Sequence, residues 1–187
     1  MLAPGWTDGC VGCSFEADHV DGALVHLLHH DVGYVAVARA PLAEIEAFRR
    51  RMGWRFPWVS SHGNDFNFDF HVSFTPAQLA AGKVFYNYRD EAIPVEELSG
   101  HSVFAKDAEG RVFHTYSAFG RGAEELLGTY MFLDLTPKGR NENGRGNLTD
   151  WVRHHDRYGV DGQVDATGRF VADEPSAAPC CAREARP

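Results

Sequence analysis

The pattern of apolar positions predicts a helix that begins at a pair of cysteines. Four apolar residues recur at i, i+4, i+7 and i+8, the spacing of one helix face: Val20, Leu24, Leu27 and Leu28. Cys10 and Cys13 precede this pattern, so we place them on the first turn of a helix that ends near His30. Free backbone N–H groups and the helix dipole favour negative charge there, which lowers the pKa of a thiol. We therefore predict Cys10 as an attacking thiolate and Cys13 as the resolving thiol.

Two extended segments on either side of a second helical pattern predict a βαβ unit. Residues 32–38 form a compact run rich in β-branched residues, typical of a buried parallel strand. Pro41 suits the first position of the following helix, and Gly53 suits its end. The apolar face of that helix consists of Leu42, Ile45, Phe48 and Met52. Residues 54–60 supply the next extended segment, and this order favours a parallel sheet covered by helices.

Shorter elements follow. Phenylalanines alternate with Asp and Asn over residues 65–70, which predicts a half-buried strand. Residues 75–82 predict a short helix that starts with Thr-Pro and ends with glycine. Residues 102–105 and 111–116 flank a polar turn and predict an antiparallel hairpin. Residues 122–135 carry apolar positions at helical spacing and predict the helix that closes the domain.

Beyond that helix, glycine, asparagine, arginine and proline dominate the chain. Residues 149–158 predict one more helix, on which His154 is expected to face solvent. Residues 159–187 predict a mobile C-terminal tail. Cys180 and Cys181 lie in that tail, so we expect the pair to be dispensable for folding. An alternative use for this pair is to relay electrons to the first two cysteines.

The order of these elements predicts an α/β protein with a thioredoxin-like fold, a mixed central sheet flanked by helices, over residues 1–158. In that fold an interior strand precedes the Cys-x-x-Cys helix, whereas only nine residues precede Cys10 here. We therefore predict a thioredoxin-like domain that lacks the usual first strand. The strands on either side, residues 32–38 and the strand starting near Trp54, then need other backbone partners. We expect upstream residues, the segment 83–89, or a second copy in a homodimer to provide them.

Composition narrows the classes of function. A chain of 187 residues with 44% hydrophobic residues forms a packed domain. Its net charge of −8 argues against nucleic acid as a partner, because such binding needs a basic face. No apolar run approaches the roughly 20 residues of a membrane span, and no signal peptide is evident, so we expect a cytoplasmic protein without a membrane partner. In that compartment four cysteines point to redox chemistry or metal binding.

Six motifs, in this order, resemble the domain-of-unknown-function-899 family over about residues 1–158. They are GCVGCSF at 9–15, RAPL at 39–42, RMGW at 51–54, FPWVSS at 56–61, DFNFDF at 65–70 and LTPKGR at 135–140. The resemblance implies a thioredoxin-like fold and a thiol–disulfide oxidoreductase that exchanges its dithiol with protein or small-molecule thiols and disulfides. It implies no cofactor. It also implies an additional strand before Met1, so that Pro4, Gly5 and Trp6 belong to the active-site loop.

Two other interpretations of the cysteines remain open. A zinc site would combine the cysteines with histidines of the same helix, His19, His26 and His30, although a solvated helix face is the simpler account of these histidines. The protein is then a thioredoxin-fold binding or scaffold protein, whose dithiol holds zinc or is vestigial. We predict no metal in the oxidoreductase itself.

The other interpretation is a peroxiredoxin-like thiol peroxidase. Pro4, Thr7 and Cys10 come within one residue of the Pro-x-x-x-Thr-x-x-Cys pattern. Arg39 follows a predicted strand and is placed to hold the thiolate ionised, unless it forms a structural salt bridge. Trp6 is close enough in sequence to shape the cysteine site.

Overall fold

The computed structural model describes residues 1–142 and 151–173. The helices are α1 (Val11–His29), α2 (Leu42–Met52), α3 (Phe66–Asp69), α4 (Pro76–Ala80) and α5 (Gly128–Asp134), with a 3-10 helix at Gly120–Leu126. The strands are β1 (Ala36–Ala38), β2 (Trp58–Ser60), β3 (Val84–Tyr86), β4 (Arg89–Glu91), β5 (Gly100–Lys106), β6 (Val112–Phe119), β7 (Gly162–Val164) and β8 (Phe170–Ala172). None of the described helices is both long enough and apolar enough to cross a membrane.

The described strands form four separate two-stranded sheets, so the protein is a mixed α/β structure without a single central sheet in this part of the chain. β1 and β2 pair in parallel, with Ala36 opposite Trp58 and Ala38 opposite Ser60. The predicted βαβ unit is therefore confirmed, although β1 is shorter than predicted. The thioredoxin-like arrangement stays a prediction.

The structure corrects the prediction that a strand is missing between β1 and β2, because these two strands pair directly with each other. The segment 83–89 does not fill a gap beside them, since β3 forms its own hairpin with β4. The first residues of the chain lie against the end of β1 instead. The carbonyl of Leu2 accepts a hydrogen bond from the N–H of Ala40 at 3.1 Å. The Leu2 side chain is buried in the main core.

The main core lies between α1, α2 and the β1–β2 pair. Its buried members are Leu2, Ala17, Leu24, Ala38, Ala40, Ile45, Phe48, Met52, Trp54, Phe56 and Trp58. The predicted apolar face of α2 is confirmed at three of its four positions, because Leu42 is exposed. Gly53 ends α2 in the left-handed conformation, with φ of 69°. The core therefore fixes both ends of the βαβ unit.

Residues 66–69 form helix α3, so the strand predicted over residues 65–70 is wrong. The carboxamide of Asn64 accepts a hydrogen bond from the N–H of Phe66 at 3.0 Å, which favours a helical turn over an extended chain. The buried side chain of Asn67 accepts from Ser61 Oγ at 2.7 Å, and the rings of Phe66 and Phe70 pack at i and i+4. Phe66 and Phe70 therefore share one side of the short helix, whereas Phe68 lies on another side and contacts the guanidinium of Arg39.

Two predicted short elements are confirmed. Helix α4 begins with a capping box in which Thr75 and Gln78 bond reciprocally, and it ends near Gly82 as predicted. β5 and β6 form the predicted hairpin, slightly longer than the sequence indicated. The predicted helix over 122–135 is instead divided at Leu127, whose φ of −94° and ψ of 71° separate the 3-10 helix from α5.

The C-terminal part of the described chain also differs from prediction. No helix occurs at residues 151–158, the described portion of the helix predicted over 149–158. His154 is fully buried rather than solvated. Residues 159–173 were predicted as mobile tail, but here β7 and β8 form a hairpin with Phe170 buried. Cys180 and Cys181 lie outside the described residues, so the predictions about them stay predictions.

Candidate functional site

The cysteine pair lies at the start of α1, which confirms the predicted placement. Cys10 is the N-cap residue, and Cys13 follows within the first turn. The N–H of Cys10 donates to the carbonyl of Met1 at 3.1 Å, and its carbonyl accepts from the N–H and the hydroxyl of Ser14 at 2.9 and 2.8 Å. Both cysteines are free thiols, and Cys10 is only 8% exposed. These backbone hydrogen bonds therefore hold Cys10 at the N-terminus of α1.

The two thiols have opposite protonation behaviour. A hydrogen bond from the Cys13 thiol, the positive charge of the Met1 ammonium, and the N–H groups of Cys13 and Gly12 together outweigh burial and lower the pKa of Cys10 to about 6. The same hydrogen bond, with burial, raises the pKa of Cys13 well above its ordinary value. At neutral pH Cys10 is thus mainly a thiolate, and Cys13 is the thiol that donates to it. This asymmetry is the arrangement that a nucleophile and a resolving thiol require.

A clamp formed by His154, Arg51 and Asp156, which the sequence did not indicate as site residues, holds the loop before Cys10. His154 Nε2 donates to the carbonyl of Gly9 at 2.8 Å, and its ring packs against Phe48. Arg51 binds the carboxylate of Asp156 through two hydrogen bonds of 2.8 and 2.9 Å, and it also pairs with Asp8. The Asp8 carboxylate, which precedes the cysteines, is therefore balanced by a guanidinium.

Only one signal in the sequence points to this clamp. His154, His155 and Asp156 form a run of ionisable residues within the stretch that resembles a known family, without an evident partner nearby in sequence. Their actual partners are far away along the chain, because His154 and Gly9 are 145 residues apart. Local patterns carry no information about such a contact.

A cavity of about 770 Å³ lies on the Cys13 side of the dithiol. Cys13, Glu16, Tyr34 and His101 contribute to its walls, together with apolar side chains from α1, β1, β5 and β6. His101 Nε2 lies 3.0 Å from a carboxylate oxygen of Glu16. Burial lowers the pKa of His101, but the hydrogen bond and charge of Glu16 outweigh it, so the pKa is raised. The cavity wall beside Cys13 therefore carries a hydrogen-bonded acid–base pair.

The structure separates the other predicted site residues. Arg39 lines the same cavity as Cys13, but its guanidinium binds Glu97 at 2.6 Å and lies 4.7 Å from the ring centre of Phe68. These contacts match the structural salt bridge that was the alternative for Arg39. Trp6 packs against the main core, and Thr7 is exposed on the loop before Cys10.

The turn between β7 and β8 lies directly on Cys10. Gly168 accepts a hydrogen bond from the N–H of Val11 at 2.8 Å. A Cβ placed on Gly168 would lie only 2.7 Å from the sulfur of Cys10. This contact, which the sequence did not indicate, explains why the Cys10 sulfur is buried.

The histidines of α1 do not share one environment. His19 Nδ1 donates to the carbonyl of Phe15 at 2.6 Å, and Nε2 accepts from the N–H of Thr129 at 3.0 Å. The expectation of a solvated His19 is therefore wrong, since the ring joins α1 to α5, whereas His26 and His30 are exposed as expected. Within residues 1–142 and 151–173, no three His, Cys, Asp or Glu side chains are grouped so as to hold a metal ion.

The chain belongs to a family described as bacterial protein of unknown function (DUF899), whose model matches residues 1–158. The resemblance inferred from the six motifs is thus confirmed as a family assignment. No curated protein matches the chain significantly, and neither does any solved structure. The match covers both cysteines and His154, and it stops before the hairpin that covers Cys10.

Proposed function

We propose that this protein is a dithiol–disulfide oxidoreductase that uses Cys10 and Cys13. The observation that carries the proposal is the asymmetry of the two thiols, with the pKa of Cys10 lowered to about 6 and that of Cys13 raised. Exchange needs one thiolate that attacks and one thiol held in reserve, and the first turn of α1 supplies both. The sulfur atoms carry the electrons themselves, so the proposal needs no cofactor.

The first step is attack of the Cys10 thiolate on one sulfur of a substrate disulfide. A bond forms between Cys10 and that sulfur, the substrate S–S bond breaks, and one substrate thiolate leaves. Cys13 then loses its proton and attacks the Cys10 sulfur, which releases the second substrate thiolate and leaves a Cys10–Cys13 disulfide. Two electrons pass to the substrate, and the two released thiolates take one proton from Cys13 and one from water. An external dithiol reductant then restores the pair.

The second step requires a proton acceptor for Cys13, because burial and the charge of Glu16 still raise the pKa of Cys13 after Cys10 has become part of the mixed disulfide. We assign this role to the Glu16–His101 pair, which lines the same cavity as Cys13. The carboxylate of Glu16 also raises the pKa of Cys13 electrostatically, and the Cys13 thiolate raises that of His101. A negative charge forming on Cys13 therefore favours the protonated imidazole, which is the condition for proton transfer between them.

The substrates that fit this chemistry are disulfides of proteins or small molecules, in a reducing compartment such as the cytoplasm. A trapping experiment tests the proposal. In a Cys13→Ser variant the mixed disulfide on Cys10 cannot be resolved, so it should accumulate when the reduced protein meets an oxidised model substrate such as glutathione disulfide. A Cys10→Ser variant is the matched control and should trap nothing at residue 13. Absence of any adduct on Cys10 in the Cys13→Ser variant contradicts the proposal.

The reduced wild-type protein also distinguishes this proposal from the two alternative functions, a zinc-holding binding protein and a thiol peroxidase. Zinc measured in the reduced wild-type protein at one equivalent per chain would favour a zinc-holding dithiol. Oxidation of Cys10 by hydrogen peroxide much faster than its exchange with disulfides would favour a peroxidase. Under the proposal the reduced protein carries no stoichiometric zinc and reacts faster with disulfides than with peroxide.

A further inference from the structure

The nucleophilic sulfur is covered by a segment that lies outside the part of the chain matching the family. The turn at residues 165–169 joins β7 to β8 and contacts the start of α1 through Gly168. The glycine is in the left-handed conformation, with φ of 81°, and has no side chain to hold it away from Cys10. Any Cβ at this position would lie 2.7 Å from the sulfur and 3.6 Å from Cβ of Cys10. The close approach therefore depends on glycine.

The turn is well formed internally. The carboxylate of Asp165 accepts hydrogen bonds from the N–H groups of Thr167 and Arg169 at 2.9 and 3.0 Å. The N–H of Gly168 donates to the carbonyl of Asp165 at 3.0 Å, and the short hairpin continues the pairing. The turn can therefore move as a unit without losing its own hydrogen bonds.

The contacts that hold the turn against Cys10 are fewer. They include the hydrogen bond from Val11 to Gly168, a hydrogen bond from Arg153 to the carbonyl of Gly162 at 3.1 Å, and the stacking of Arg169 on Trp6 at 4.9 Å and of Arg153 on Phe170 at 5.2 Å. β7 and β8 pair only with each other among the described strands. Release of this hairpin thus breaks these contacts and exposes Phe170, but it leaves the pairing within the hairpin intact, as in segments that open locally.

In its docked position the turn obstructs exchange in two ways. A substrate sulfur must approach the Cys10 sulfur closely and in line with the bond that breaks, and the backbone of Gly168 occupies the space beside that sulfur. The carbonyl of Gly168 also takes the N–H of Val11, a donor of the first turn of α1 that would otherwise be available to the thiolate.

We propose that the 165–169 turn is an autoinhibitory cover, which must leave Cys10 before the thiolate can react. In the open state Cys10 is exposed and the N–H of Val11 turns to the sulfur, so both solvation and hydrogen bonding lower the pKa of Cys10 further. The cover is relevant to exchange only if the proposed function holds, but its effect on access to Cys10 is independent of that function.

The chain contains a matched control for this cover. The β5–β6 turn has the sequence Asp-Ala-Glu-Gly-Arg at residues 107–111, and the covering turn has Asp-Ala-Thr-Gly-Arg at 165–169. Gly110 has φ of 84°, and a Cβ there would meet only the flexible end of Lys106 at 3.6 Å. Gly168→Ala and Gly110→Ala therefore impose the same backbone strain, but only Gly168→Ala pushes the turn away from Cys10.

The experiment measures the rate of alkylation of Cys10 by iodoacetamide in the full chain, with the modified peptide identified by mass spectrometry. Gly168→Ala should raise the alkylation rate about tenfold or more, because it increases the fraction of molecules in which the turn has left Cys10. It should also move the pH midpoint of the reaction to a lower pH. Gly110→Ala should match the wild-type protein in both respects. Equal rates in all three proteins would overturn the cover.

A second pair of variants keeps the test decisive if Gly168→Ala does not fold. Arg169→Ala removes the stacking on Trp6 and should accelerate alkylation, whereas Arg111→Ala removes the equivalent arginine of the control turn and should not.

If Cys10 alkylation rises but no mixed disulfide ever forms in the trapping experiment, the cover stands and the proposed exchange is wrong. If mixed disulfides form at the same rate in wild type and both cover variants, exchange stands and the cover is wrong.

Discussion

The Cys13 side chain donates its S–H to the sulfur of Cys10, and this one contact moves the pKa values of the two thiols in opposite directions. It lowers the pKa of Cys10 because the bond stabilises the thiolate. It raises that of Cys13 because the donated proton is held in place and because a thiolate lies beside it. The positive charge of the Met1 ammonium and two backbone N–H groups at the start of α1 lower the pKa of Cys10 further.

The role of this donor is tested by comparing Cys13→Ala with Cys13→Ser. Alanine removes the donor, so the pKa of Cys10 should rise from about 6 toward the ordinary value. Serine keeps an O–H donor and should give a smaller rise. The thiolate absorbance near 240 nm, followed against pH with Cys180 and Cys181 replaced by serine, measures both. An unchanged pKa in Cys13→Ala would show that the Cys13 thiol does not lower it.

His154 should prove necessary for stability. Replacing it with alanine leaves the carbonyl of Gly9 without its donor, which costs about 1–3 kcal/mol for a buried group, and opens a cavity beside Phe48 that adds to the loss. His155→Ala is the control. Its imidazole is 45% exposed and pairs with Asp18 on the surface, so the loss there should be below about 1 kcal/mol. Urea unfolding compares the two, and equal losses would contradict the clamp.

The Arg51–Asp156 pair predicts loss of stability in acid. The hydrogen bonds from Arg51 hold the pKa of Asp156 below its usual value. A carboxyl whose pKa is lower in the folded than in the unfolded protein stabilises the fold at pH values above its unfolded-state pKa of about 3.9. This contribution is lost as the pH falls through the folded-state pKa. Asp156→Asn should therefore lower the melting temperature at neutral pH and flatten its dependence on pH below about 4. Melting curves from pH 3 to 7 check this, and parallel curves for both proteins would contradict it.

His101 gives a prediction of opposite sign. Glu16 raises the pKa of His101, so the ion pair stabilises the fold fully at pH values below the unfolded-state pKa of about 6.5. This contribution is lost as the pH rises through the folded-state pKa of His101. Glu16→Gln should lower the pKa of His101, and it should lengthen the lifetime of the mixed disulfide on Cys10 if the pair accepts the Cys13 proton. NMR titration of the imidazole and quenched-flow mass spectrometry measure these effects. Glu109→Gln, on an exposed turn, should change neither.

The local elements were predictable because their signals lie within a few residues. The cysteine-capped helix, α2 with its glycine stop, the capping box of α4 and the β5–β6 hairpin each follow from short patterns. The strand expected at residues 65–70 is a helix because two of its phenylalanines, Phe66 and Phe70, are also spaced for one face of a helical turn. The hydrogen bonds of Asn64 and Asn67 then favour that turn. Periodicity alone does not distinguish the two in so short a segment.

The surroundings of the dithiol were not predictable, because they come from distant parts of the chain. The bond from His154 to Gly9 and the contact of Gly168 with Cys10 each join residues separated by most of the sequence. No spacing rule connects such positions. The position of Cys10 and Cys13 at the start of a helix was therefore predictable from the sequence, whereas the clamp and the contact of Gly168 with Cys10 required the structure.

The central claim is that Cys10 and Cys13 form a reversible redox pair, and a redox titration tests it most directly. The protein, with Cys180 and Cys181 replaced by serine, is equilibrated in glutathione buffers of graded potential and then quenched and analysed by mass spectrometry. We predict a single two-electron transition between the dithiol and an intramolecular Cys10–Cys13 disulfide. Two thiols that stay free, or that take up glutathione independently without ever joining to each other, would contradict the account.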